Sequence, residues 1–104
     1  MYKNIDNKTF HEGMKQDDAV IIDVRTAQEI ADGIIPGAIH IDIMGGDFMN
    51  SVQSMDNSKS YYIYCRSGNR SGAACGAMAN AGFSKLYNLA NGMMAWDGPV
   101  AINQ

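Results

Sequence analysis

Apolar positions in this chain come in short runs rather than in long periodic stretches. Ala19-Val20-Ile21-Ile22-Asp23-Val24 is apolar and β-branched with no alternation before its polar end, the pattern of a strand covered on both faces. Thr26 followed by Glu29 predicts a helix start, because the hydroxyl and the carboxylate can each satisfy a free backbone N–H group. That helix has to stop by Gly33. Ile35-Pro36-Gly37 turns the chain, and Ala38-Ile39-His40-Ile41 reads as a second short strand. Phe48 to Met55 predicts a short helix. The aromatic, β-branched run Tyr61-Tyr62-Ile63-Tyr64 is a strand that ends directly at Cys65. From Ser71 to Ala81 the residues are small helix formers, with Gly82 placed for a left-handed cap. Leu86 to Leu89 is the last strand, and Asn91-Gly92 turns into a short helix holding Trp96.

Strands alternating with helices at this spacing imply an α/β fold with a parallel central sheet of about five short strands and helices on both faces. At 104 residues and 46% hydrophobic content there is room for one core, so 1–104 is read as a single domain without linker or repeat. The net charge of −3 and the scattered Lys and Arg residues lack the basic footprint that nucleic acid requires. A polar N-terminus without an apolar run, and no stretch long enough to span a bilayer, point to a cytoplasmic protein with no membrane partner.

Cys65-Arg66-Ser67-Gly68-Asn69-Arg70 falls between a predicted strand and a predicted helix, where open α/β sheets place their ligand sites. A glycine-containing loop there can turn successive N–H groups inward, and the helix N-terminus adds its positive end. A thiolate at the mouth of that cradle, flanked by Arg66 and Arg70, is expected to have a lowered pKa and to act as a nucleophile. The competing reading is an inert, buried cysteine at a strand end. Cys75 lies well down the predicted helix and reads as packing. His11 and His40 are isolated from other ligand-type residues, so no metal site is legible and no cofactor is implied.

The chain resembles the rhodanese family of sulfurtransferases over nearly its whole length. Asp23-Val24-Arg25, Glu29 and Gly33-Ile34-Ile35-Pro36-Gly37-Ala38 match the family's N-terminal signature, and Asn91-Gly92-Met93-Met94-Ala95-Trp96 its C-terminal one, with the cysteine loop between them. Ile34 stands where the family usually has histidine, and Asn91 where it often has glycine. The resemblance implies a sulfurtransferase that carries sulfane sulfur as a persulfide on Cys65. It takes the sulfur from a small anionic donor such as thiosulfate and gives it to a thiophilic acceptor such as cyanide or a thiol. Backbone N–H groups of Ser67, Gly68, Asn69 and Arg70 would hold the terminal sulfur, and the Arg66 and Arg70 side chains would orient the donor. Asp23, Arg25 and Ser71 would support the loop from behind. A protein-to-protein sulfur relay, or a non-catalytic binding module, is the alternative, with a protein as sulfur acceptor. Rhodanese-related phosphatases carry one more loop residue; here Cys65 and Arg70 are separated by four, which leaves too small a cradle for a phosphoryl group.

Overall fold

The computed structural model describes residues 1–102, which fold around one five-stranded parallel sheet. In chain order the elements are β1 (Lys3–Ile5), α1 (Asn7–Gly13), β2 (Ala19–Asp23), α2 (Ala27–Ile30), β3 (Ile39–His40), α3 (Phe48–Gln53), β4 (Ser60–Tyr64), α4 (Asn69–Asn80) and β5 (Leu86–Leu89). Single 3-10 turns at Ile43–Gly45 and Met93–Ala95 complete the set. The strands lie in the order β1-β5-β4-β2-β3, so β4 is central and its C-terminal end opens into the cysteine loop. Register is set by Ala19 beside Ser60 and Asp23 beside Tyr64 on one flank, and Tyr61 beside Leu86 on the other.

The two-residue alternation of a strand sends β4 side chains into two separate cores. Tyr61, Ile63 and Cys65 pack with Phe48 and Val52 of α3 and with Ala74, Cys75 and Met78 of α4. Tyr62 and Tyr64 point the other way, onto Phe10 of α1, Ile21, Ile35 and Leu89. Phe10 meets the Tyr62, Tyr64 and Trp96 rings edge to face, a geometry aromatic quadrupoles favour. All five β4 residues are buried, as an unalternating apolar strand requires.

Local signals are realised as chemistry. Thr26 and Glu29 form both bonds of the capping box, although α2 runs for only four residues. Gly82 follows α4 with a φ of 102°, and the Phe83 N–H closes back on the Met78 carbonyl at 3.0 Å. Two elements escaped the pattern reading. β1 is three residues of mostly exposed polar sequence, held as an edge strand by pairing with Tyr87–Leu89 of β5. α1 is opened by the Asp6 side chain, which accepts from the Thr9 N–H at 2.9 Å, and it buries Phe10. The helix read from Ser71 begins earlier, at Asn69, so Asn69 and Arg70 form its first turn rather than the loop.

Candidate active site

β4 ends at Cys65, and the chain reverses into α4 through Gly68, whose φ of 98° is the left-handed region. A methyl at Gly68 would collide with the Ala90 carbonyl after β5, so only glycine lets the loop close this tightly. The curl aims donors at sulfur. The Gly68 N–H lies 3.1 Å from Cys65 Sγ, and the Ser71 N–H and hydroxyl oxygen each lie 3.4 Å away. First-turn N–H groups of a helix have no acceptor inside it, so those of Asn69 and Arg70 complete the electropositive rim.

Cys65 is fully buried. Burial alone pushes its thiol up, but hydrogen bonds from the Ser71 hydroxyl and from the Ser71, Ser67 and Gly68 N–H groups outweigh it and hold the thiol below its ordinary value. These donors, rather than the two arginines expected from sequence, do most of that work. Arg70 turns away to form a two-pronged pair with Glu29, at 2.6 and 2.8 Å, and keeps only a weaker electrostatic contact with the sulfur. The same bond and desolvation act on Glu29, whose carboxyl is lowered to about 2 chiefly by Arg70. Among the described residues the ion pairs are Glu29–Arg70 and Asp23–Arg25, which leaves the exposed Arg66 guanidinium without a carboxylate. Arg66 borders a depression of about 440 Å³ shared with Arg25, Glu29, Met93 and Met94.

The supporting residues are built into the scaffold. Buried Asp23 takes the Arg25 backbone N–H at 2.9 Å and its guanidinium at 2.8 Å, while Arg25 also donates to the Gly33 carbonyl at 2.6 Å. This ties the end of β2 to the turn before β3, and the Tyr64 hydroxyl adds a bond from the Ile35 N–H at 3.0 Å. Asp23 and Arg25 thus brace the wall beside the loop and do not touch the sulfur. His40 is satisfied by the Arg25 carbonyl at 2.7 Å. Ile34, at the position usually occupied by histidine, exchanges two 2.8 Å backbone bonds with Ala101.

Behind the loop, the Met93 and Met94 N–H groups donate to the Cys65 and Arg66 carbonyls at 2.9 and 3.1 Å. Gly92, with a φ of 65°, passes so close that a methyl there would strike the Arg66 carbonyl. The Asn91–Trp96 signature is therefore a clamp on the backbone of the cysteine. Asn88 of β5 escaped the sequence reading altogether. Its amide group donates to the Gly68 carbonyl at 3.0 Å and to Asn4 Oδ1 at 2.9 Å, and its oxygen accepts from the Ser71 hydroxyl. The one signal available was a polar residue inside an otherwise apolar strand. Cys75, by contrast, lies inside α4 among apolar neighbours, as expected, and both cysteines are free.

Known proteins resemble this chain over most of its length. YtwF of Bacillus subtilis is 39% identical over 97 residues, covering 92% of this chain and 91% of its own. A protein of Allochromatium vinosum named sulfurtransferase is 32% identical over 97 residues, 92% of this chain and 89% of that one. The thiosulfate sulfurtransferase GlpE of Pseudomonas putida is 30% identical over 95 residues, 91% of this chain and 84% of its own. Among solved structures, a rhodanese-like domain protein from Staphylococcus aureus superimposes with a TM-score of 0.85 at 29% identity, over 98% of this chain and 99% of that one. A rhodanese-related protein from Thermoplasma volcanium gives 0.86 at 26% identity, over 98% and 100%. The model of the rhodanese-like domain matches residues 6–98, from the cap of α1 to the turn after Trp96, and the chain belongs to that family.

Proposed function

We propose that the protein is a sulfurtransferase that moves sulfane sulfur from a small anionic donor, thiosulfate or a persulfide, to a thiophilic acceptor through a persulfide on Cys65. The observation that carries this reading is a fully buried sulfur on which the Gly68 and Ser71 N–H groups converge at 3.1 and 3.4 Å. Cys65 Sγ⁻ attacks the outer sulfur of thiosulfate; the new S–S bond forms as the old one breaks, and sulfite leaves with the bonding pair. The outer sulfur now bears the charge, within reach of the free N–H groups at the start of α4. Cyanide or a thiolate then takes that sulfur, and Cys65 leaves as the thiolate it began as. No net proton or electron is needed.

Arg66 is the side chain that attracts and orients the donor, since its guanidinium is exposed beside the loop and has no carboxylate partner among the described residues. Ser67, Gly68, Asn69 and Arg70 act through their backbone N–H groups, and Arg70 also fixes the helix start through Glu29. Such a carrier suits a reducing cytoplasm, in keeping with two free cysteines and with no helix among the described residues long and apolar enough to cross a membrane. A relay that loads from a partner protein uses the same residues; it differs only in which donor loads Cys65 faster.

Intact mass after incubation with thiosulfate tests the proposal. Gain of one sulfur atom, its loss on adding cyanide, and neither event in Cys65→Ser are expected. Sulfur transfer that survives in Cys65→Ser would end the assignment.

A further inference from the structure

The Ser71 hydroxyl has two neighbours that want its single hydrogen. The orientation of Asn88 settles where that hydrogen rests. One end of the Asn88 amide faces the Gly68 carbonyl oxygen at 3.0 Å, and a carbonyl oxygen only accepts, so that end is the NH₂ group. The other end is therefore Oδ1, an acceptor, and it faces the Ser71 hydroxyl. While Cys65 is a thiol, Ser71 donates to Asn88 and turns a lone pair toward Sγ, 3.4 Å away; the same hydroxyl is a donor to Sγ only when that sulfur is ionised. A lone pair suits a thiol, which donates S–H to it, and opposes a thiolate.

We propose that Asn88 is a positioning residue that competes with Cys65 for the hydrogen of the Ser71 hydroxyl and releases it when the sulfur takes on negative charge. As the thiol proton leaves to bulk water, the hydroxyl rotates from Asn88 Oδ1 to Sγ. Asn88 is 3% exposed, so the oxygen left behind has no ready replacement from solvent, and the rotation is uphill by that loss. Once the sulfur is transferred onto Cys65 the charge moves to the outer atom, and the hydroxyl returns to Asn88. The network joins β1, β5 and α4 to the cysteine loop, since Asn4 of β1 accepts from the same amide on the far side at 2.9 Å.

Charged and titratable groups on the elements about the loop are Arg66 in the loop itself, Arg70 of α4 with Glu29 of α2 and Asp42 acting on it, the Asp23–Arg25 pair at the end of β2, and Tyr2 beside Asn88. Among the described residues none of these side chains hydrogen-bonds Ser71 or Asn88, so the hydroxyl's choice lies between the amide and the sulfur.

The functional consequence rests on Cys65 being the sulfur carrier, but the test reads ionisation alone and uses no donor, so failure of thiosulfate loading and failure of this inference are separate results. Thiolate ultraviolet absorbance is followed against pH as the difference from Cys65→Ser. Asn88→Ala is expected to lower the Cys65 midpoint by about one pH unit, because the freed hydroxyl then donates to sulfur without a rival. Ser71→Ala is expected to raise it, and adding Asn88→Ala to Ser71→Ala should change nothing further. An Asn88→Ala effect of the same size with and without Ser71 would mean that Asn88 acts through the Gly68 backbone, and would overturn the proposal, as would a midpoint unmoved or raised. Should the variants not fold, the unaltered protein supplies the answer. The Asn88 side-chain amide signals in ¹⁵N-edited NMR are expected to move with the Cys65 midpoint and to stay still in Cys65→Ser; amide signals static through that midpoint would refute the exchange.

Discussion

Cys65 and Cys75 are both fully buried and both belong to the cluster between the sheet and the α3–α4 layer. Yet their thiols move in opposite directions. Cys75 sits within α4, where backbone N–H groups are spent on the helix itself, and burial pushes it up to about 12 with nothing to oppose. Cys65 stands just before the same helix, where N–H groups are unspent, and the Gly68 turn aims them at its sulfur. Burial therefore does not decide whether a cysteine is inert; the supply of unsatisfied donors at a helix start does.

The sharpest way to break this comparison is alkylation. Because burial raises the Cys75 thiol while hydrogen bonds lower that of Cys65, Cys65 has the larger thiolate fraction, an advantage that the weaker nucleophilicity of the more acidic thiolate only partly offsets. Since neither side chain reaches solvent, access handicaps both. Brief iodoacetamide treatment below pH 8 followed by peptide mapping should label Cys65 almost alone. Equal labelling would erase the distinction.

Next in size is the clamp that only Cys65 possesses. Gly92→Ala forces a side chain into a φ of 65° and against the Arg66 carbonyl, at a cost of about 2 kcal/mol. Thermal unfolding should show the loss, and the Cys65 thiol should rise toward an ordinary value as the loop is pushed off its donors. Cys75, remote from the clamp, should keep its slow alkylation. A variant with unchanged stability and an unchanged Cys65 profile would show the clamp to be idle.

Glu29→Gln tests the anchor at the start of α4. Glu29 is lowered to about 2 by Arg70, so the pair stabilises the fold above the ordinary carboxylate value of 4.5 and that contribution is lost as pH falls toward 2. Both partners are about a quarter exposed, which limits the effect to about 1 kcal/mol at neutral pH. Denaturant titrations at pH 7 and pH 3 should differ less in the variant than in the unaltered protein. A pH dependence identical in the two would remove Glu29 from the account.

What could be read without coordinates was what depends on local pattern. The β4 run, the capping box at Thr26 and the Gly82 cap each follow from residues adjacent in the chain, and each is present. β1 was invisible because an edge strand of exposed polar residues is defined by its neighbour, β5, far off in sequence. Asn88 was invisible for the same reason: its partners Asn4, Gly68 and Ser71 come from three other elements. Glu29 was legible only in part, as a cap; that its carboxylate also grips Arg70 depends on β2 and β4 lying side by side.

The smallest expected effect separates the two arginines that sequence treated alike. Arg70 is held by Glu29, whereas Arg66 is exposed and has no carboxylate partner among the described residues. Neither side chain is among the main causes that lower the Cys65 thiol, which are hydrogen bonds from Ser71, Ser67 and Gly68 set against burial. Arg66→Ala should therefore slow loading by thiosulfate about threefold to fivefold, the size of one exposed charge acting on an incoming anion, with a weaker loss at high salt. Its alkylation profile against pH should stay in place, because iodoacetamide is neutral and the donors at sulfur are untouched. Loading rates at low and high ionic strength, measured by intact mass beside the alkylation midpoint, separate the two roles. A midpoint that rises with Arg66→Ala would return the arginine charge to the centre of the comparison, and Cys65 would then owe its difference from Cys75 to side chains rather than to the unspent backbone of a helix start.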